Sequence, residues 1–112
     1  MKKQIIAASI LTLAAAFLTP AQAAVDKDAA QALAKKNDCF KCHAVDKTKK
    51  GPAYKKIAEK FKGKADAEAT LIKQITTGPK VKLEDGTEEN HKIIDTQDQG
   101  AIKNLVGWIL SL

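Results

Sequence analysis

The chain has 112 residues and a formal net charge of +6, and every one of its basic side chains is lysine. It holds two cysteines, two histidines and a single methionine. No nucleic-acid recognition motif accompanies the positive charge, which argues against a nucleic-acid-binding role.

Lys2 and Lys3 open the chain, an apolar stretch from Ile5 to Leu18 follows, and Pro20 precedes Ala21-Gln22-Ala23. A basic start, a short apolar run and an A-x-A site predict a secretory signal peptide over 1–23. Cleavage after Ala23 leaves one domain, 24–112, in the periplasm. The apolar run is too short for lasting membrane insertion, and no later segment approaches a span. Removing Lys2 and Lys3 from +6 leaves +4 on the mature chain.

Asp26 or Asp28 is placed to cap a first helix running to about Asn37. Its alanines, 29, 30, 32 and 34, favour helix and admit a close-packed neighbour. Asp38 leads into Cys39-Phe40-Lys41-Cys42-His43. C-x-x-C-H is the attachment pattern of a c-type haem. Two thiols at this spacing form thioethers to the haem vinyl groups, and the histidine behind them ligates iron. His43 Nδ1–H then needs an acceptor, and a backbone carbonyl around Gly51-Pro52 is the natural one. A thiol redox pair or a structural disulfide competes with haem attachment. The redox pair expects a βαβ context that this chain lacks.

Residues 44–53 read as a loop ending in the Gly51-Pro52 turn. Residues 53–60 predict a short helix with Ile57 inward, Phe61 packing on the core and Gly63 ending the run. Asp66 caps a predicted helix to Thr77, with Leu71, Ile72 and Ile75 on its apolar side. Gly78-Pro79 stops it. Residues 80–95 have no helical period and form a long loop, placed to cover one haem face. Asp98 to Leu112 predicts the last helix, with Ile102, Leu105, Val106, Ile109 and Leu112 at three-or-four-residue steps. Trp108 falls at the edge of that stripe. No repeat or β-rich run is evident, so the expected fold is all-α, with the first and last helices crossing.

Met1 leaves with the signal peptide, so a His/Met haem is excluded in 24–112 by composition. His91, the remaining imidazole, is the leading candidate for the second metal ligand. A lysine such as Lys80, Lys82 or Lys92, or an open or water-bound position, stands against it, as does a plain surface histidine. A lysine must first lose its proton, which costs more near neutral pH.

The mature domain resembles a small bacterial class I cytochrome c of the c-551/c-552 type. The resemblance rests on Cys39 to Val45, Lys50-Gly51-Pro52-Ala53-Tyr54-Lys55, Ile57-Ala58-Glu59-Lys60-Phe61 and Leu105-Val106-Gly107-Trp108-Ile109. It implies helices packed around one covalently bound haem c, with the first and last helices in contact. It also implies that the Pro52 carbonyl accepts from His43 Nδ1–H and that Trp108 is a core residue. The chain departs from the family at the usual Pro-Met-Pro-like loop, where Thr87 to Lys92 stand. Gln74 takes the place of a frequent arginine.

These features together predict a periplasmic electron carrier, not an enzyme, cycling one haem iron between Fe(III) and Fe(II). A second imidazole in place of a thioether lowers the potential. The partners expected are periplasmic redox proteins with acidic docking surfaces, steered by Lys41, Lys47, Lys49, Lys50, Lys55 and Lys56. The competing function is a haem-based sensor that binds gas or another small ligand at an open iron site.

Overall fold

The computed structural model describes residues 24–112 together with the single residue Ala16, so the predicted signal peptide lies otherwise outside the described residues. Helix α1 spans Lys27–Lys36, and Asp26 caps it from an extended conformation by accepting from Ala29 N at 3.0 Å. Asp28 falls in the first turn and Lys35 and Lys36 in the last, the polarity that the helix dipole favours. A single 3-10 turn, Cys39–Lys41, follows. Helix α2 is Tyr54–Phe61 and α3 is Ala67–Thr77. Helix α4 is Gln99–Leu110, and the Asp98 carboxylate caps it by accepting from Ala101 N at 3.1 Å.

α4 is the platform of the fold, and α1, α2 and α3 all pack on it. Its inner face buries Ile102, Leu105, Val106, Trp108 and Ile109. Ala30 and Ala34 of α1 are fully buried in the same core. Their single methyl groups let two helix backbones approach closely, as the alanine pattern implied. Gly107 serves the same end, since a Cβ there would lie 3.2 Å from Val25 Cγ2. A reciprocal amide clasp closes the crossing: Asp26 N donates to Asn104 Oδ1 and Asn104 Nδ2 donates to the Asp26 carbonyl, each at 2.8 Å.

Three expectations need correction. Asp66 stands before α3 but makes no capping bond; at φ −94° and ψ 6° it lacks an extended cap geometry, and its carboxylate accepts from the Thr70 hydroxyl at 3.5 Å. Phe61 does not join the core; it is half-buried, with Lys60 Nζ and Lys64 Nζ 5.8 and 5.5 Å from its ring centre. Residues 80–95 are not all loop. They hold an antiparallel hairpin, β1 (Lys80–Lys82) and β2 (Glu88–Asn90), in the register Lys80 to Asn90, Val81 to Glu89 and Lys82 to Glu88. The turn is shaped by Gly86 at φ +86° and by Asp85, whose carboxylate accepts from both the N–H and the hydroxyl of Thr87. The fold is therefore helical with one small hairpin.

Asn104→Ala removes both bonds of the α1–α4 clasp. It is expected to lower stability by about 1 kcal/mol, since the clasp is solvent-exposed. Denaturant unfolding of the haem-loaded protein measures this, and an unchanged midpoint would contradict it.

Candidate functional site

A cavity of about 660 Å³ opens between α2, α3, α4 and the hairpin. Cys39, Cys42, His43, Pro52 and His91 all line it, so residues from both ends of the domain share one chamber. Leu71, Ile75, Leu105 and Ile109 form part of its apolar wall, which suits a large flat apolar group.

Cys39 belongs to the 3-10 turn and Cys42 caps its end, with Cys42 N donating to the Cys39 carbonyl at 3.2 Å. His43 N donates to the same carbonyl at 3.0 Å, which draws the three residues into one compact unit. The two cysteines are unbridged, half-buried thiols. Burial raises the Cys39 thiol above its ordinary range, opposed in part by the neighbouring Tyr54 hydroxyl.

The His43 Nδ1–H donates to the Pro52 carbonyl at 2.7 Å, which fixes the tautomer and leaves Nε2 with a free lone pair. Burial pulls His43 below the ordinary histidine range, the Pro52 bond opposes this, and nearby His91 adds to the lowering. The ring is thereby kept neutral, the form that ligates a metal. Tyr54 stacks on it with ring centres 5.1 Å apart and 22° between planes, and Trp108 meets Tyr54 edge-on at 5.7 Å. The buried Trp108 thus braces His43 from the core, rather than lying at the edge of the α4 stripe. Burial, with the Cys39 thiol close by, pushes the Tyr54 phenol far up, so it stays protonated.

His91 directly follows β2. Its Nδ1–H donates to the Lys92 carbonyl at 2.9 Å, again leaving Nε2 free. The His43 and His91 ring centres are 6.2 Å apart, with 42° between planes.

Both histidines are backed by a Gly-Pro pair, a signal the sequence carries twice. A Cβ on Gly51 would lie 2.8 Å from His43 Cε1. Gly78 has φ +59°, and a Cβ there would lie 2.6 Å from the His91 carbonyl oxygen and 2.7 Å from Ile93 Cγ1. Pro79 O accepts from His91 N at 2.9 Å. The sequence reading of Gly78-Pro79 as a helix stop was correct but incomplete.

Of the lysines expected around the site, Lys50 and Lys56 line the cavity; Lys60, Lys82 and Lys92 join them, against Asp38 and Glu89 among the described residues. Lys41 pairs with Asp38 at 3.4 Å and Lys55 with Asp46 at 2.5 Å, while Lys49 donates to the Phe40 carbonyl.

A helical domain around a chamber that carries a C-x-x-C-H unit defines a class I cytochrome c, with one covalently bound haem c. The chain belongs to the cytochrome c family, which it matches over residues 28–112, and to its small bacterial c-551/c-552 group. It is 43% identical to cytochrome c-551 of Pseudomonas aeruginosa over 62% of this chain and 66% of that one. It is 37% identical to cytochrome c-552 of Nitrosomonas europaea over 88% of this chain and 89% of the relative. Among solved structures, the class 1 cytochrome MtoD of Sideroxydans lithotrophicus superposes with a TM-score of 0.76 at 63% identity, over 79% of this chain and 97% of that one. Wild-type Nitrosomonas europaea cytochrome c552 gives 0.60 at 34% identity, over 73% and 98%. Family members are periplasmic electron carriers rather than enzymes, and so is this protein. Among the described residues no helix is long and apolar enough to cross a membrane.

Gly51→Ala forces the loop away from the His43 ring. It is expected to cost about 1–3 kcal/mol of holoprotein stability. Denaturant unfolding followed at the haem absorption band measures this, and a wild-type midpoint would contradict it.

Proposed function

We propose that this protein carries single electrons with a haem held by His43 on one face and His91 on the other. The observation that carries the reading is the 6.2 Å separation of the two imidazoles across one cavity. Their Nδ1–H groups are both committed to backbone carbonyls, which leaves both Nε2 atoms available as donors. Residues 24–112 contain no methionine to compete. Lys82 and Lys92 share the cavity, but a lysine ligand must shed a proton first.

The haem, when bound, supplies the Fe(III)/Fe(II) couple. Cys39 and Cys42 would anchor the haem covalently, and His43 would ligate its iron, with the Pro52 carbonyl orienting the ring. His91 would hold the metal from the other side and keep outside ligands off it. Two neutral nitrogen donors that stay in place in both oxidation states keep rearrangement small. The second imidazole, lacking the thioether's preference for the reduced state, lowers the potential relative to His/Met relatives.

The lysines at the mouth favour a periplasmic redox partner with an acidic docking face. Their attraction acts mainly on encounter and is screened within about 10 Å at 0.1 M salt.

Electron paramagnetic resonance of the ferric protein tests the ligand set. The expected spectrum is low-spin bis-imidazole, converted in His91→Ala to high-spin or to a different low-spin form. A high-spin native spectrum that the substitution leaves unchanged would overturn the assignment. For docking, the electron-transfer rate with an acidic redox protein is expected to fall steadily as salt is raised; a flat salt profile would remove the lysines from the encounter.

A further inference from the structure

We propose that Asn37 is the positioning residue that holds His91 over the cavity, and so sets how readily the distal position opens to outside ligands. Asn37 is 1% exposed and is the buried polar residue among the described residues. It sits immediately after α1, two residues before Cys39, where a small turn residue would suffice for the chain. Its side chain instead makes two bonds. Nδ2 donates to the Leu33 carbonyl at 3.0 Å, which locks the amide onto the end of α1. Oδ1 accepts from Asp95 N at 2.7 Å, across 58 residues of sequence.

Asp95 closes the short segment that carries His91. Three hydrogen bonds pin that segment to the body of the protein: His91 N to Pro79 O at 2.9 Å, Ile94 N to Ile75 O at 2.8 Å, and Asp95 N to Asn37 Oδ1. The first two tie the segment to its own side of the cavity, at and after α3. Only the Asn37 bond ties it to the half that bears Cys39, Cys42 and His43. The Asp38 to Lys92 ion pair also bridges the halves, but at 3.7 Å between half-exposed side chains it is weakly held. The hairpin turn has its own tie to the His43 half, Glu84 N to the Lys50 carbonyl at 3.2 Å, so the buried amide is the main polar strut from the segment 91–95 itself. Removing its acceptor also strands the Asp95 N–H, so the segment gains freedom to swing outward.

The proposal rests on His91 being the second ligand, and one experiment separates the two claims. The ferric holoprotein is mixed with cyanide, and the limiting rate at saturating cyanide is measured for wild type, His91→Ala, Asn37→Ala and Asn104→Ala. That limiting rate reports release of the resident distal ligand. A slow wild type and a fast His91→Ala support the ligand reading; equal fast rates in these two would defeat it, and the proposal with it. Given the first result, Asn37→Ala is expected to raise the limiting rate about tenfold, the effect of one buried hydrogen bond lost. Asn104→Ala breaks the clasp on the far side of the fold and is expected to keep the wild-type rate. A wild-type rate in Asn37→Ala would overturn the positioning role while leaving His91 as ligand. Equal acceleration in Asn37→Ala and Asn104→Ala would overturn it too, by showing general loosening. If Asn37→Ala fails to retain haem, Asn37→Ser, which is too short to bridge to Asp95, is measured in the same way with the same outcomes.

Discussion

The close approach of the His43 and His91 rings, 6.2 Å between centres, depends on most of the rest of the domain. It brings together two residues from distant parts of the chain, one in a short turn and one beyond a hairpin. The α4 platform makes this workable. α1 delivers the C-x-x-C-H turn from one side, α2 and α3 wall the cavity, and the hairpin returns the chain across the opening. The crossing of α1 on α4 is close because Ala30, Ala34 and Gly107 keep side-chain bulk out of the contact. A wider crossing would move His43 relative to everything attached to α3.

The aromatic column adds rigidity along a second direction. Trp108 lies in the core, Tyr54 stands edge-on against it, and His43 stacks on Tyr54. Position is thus passed from the packed interior to the cavity wall through three rings, each with few rotatable bonds. This is the structural meaning of the Trp108 segment in the family resemblance: its effect on the site is exerted through Tyr54.

What sequence could reveal followed how local each feature is. The first helix's cap was readable as Asp26 or Asp28 because a cap needs only its own next turn, and the structure selects Asp26. The α4 stripe was readable because Ile102, Leu105, Val106 and Ile109 repeat on one buried helical face. The hairpin was not: Lys80-Val81-Lys82 and Glu88-Glu89-Asn90 offer a single half-buried apolar side chain, and backbone pairing holds the strands. Phe61 misled because an aromatic after a helical stripe reads as core, whereas its half-buried ring lies beside two lysines. Cys39, Cys42 and His43 were evident from spacing, and His91 was a candidate by scarcity of alternatives. Asn37 escaped notice because its partner is 58 residues away and an asparagine after a helix already has an ordinary explanation.

The two histidines differ in how they are tethered, and this gives maturation a direction. His43 adjoins Cys42, so once the thiols are bonded it stays at the metal at very high local concentration, whatever the rest of the chain does. His91 must bring a long stretch of chain to closure, and only noncovalent contacts hold it there. Attachment at the C-x-x-C-H turn can therefore precede a finished fold, with the hairpin and His91 closing last. With His91 as the proposed second ligand, the same asymmetry would order disassembly: under stress the His91 side would let go first, with the haem kept at Cys39 and Cys42.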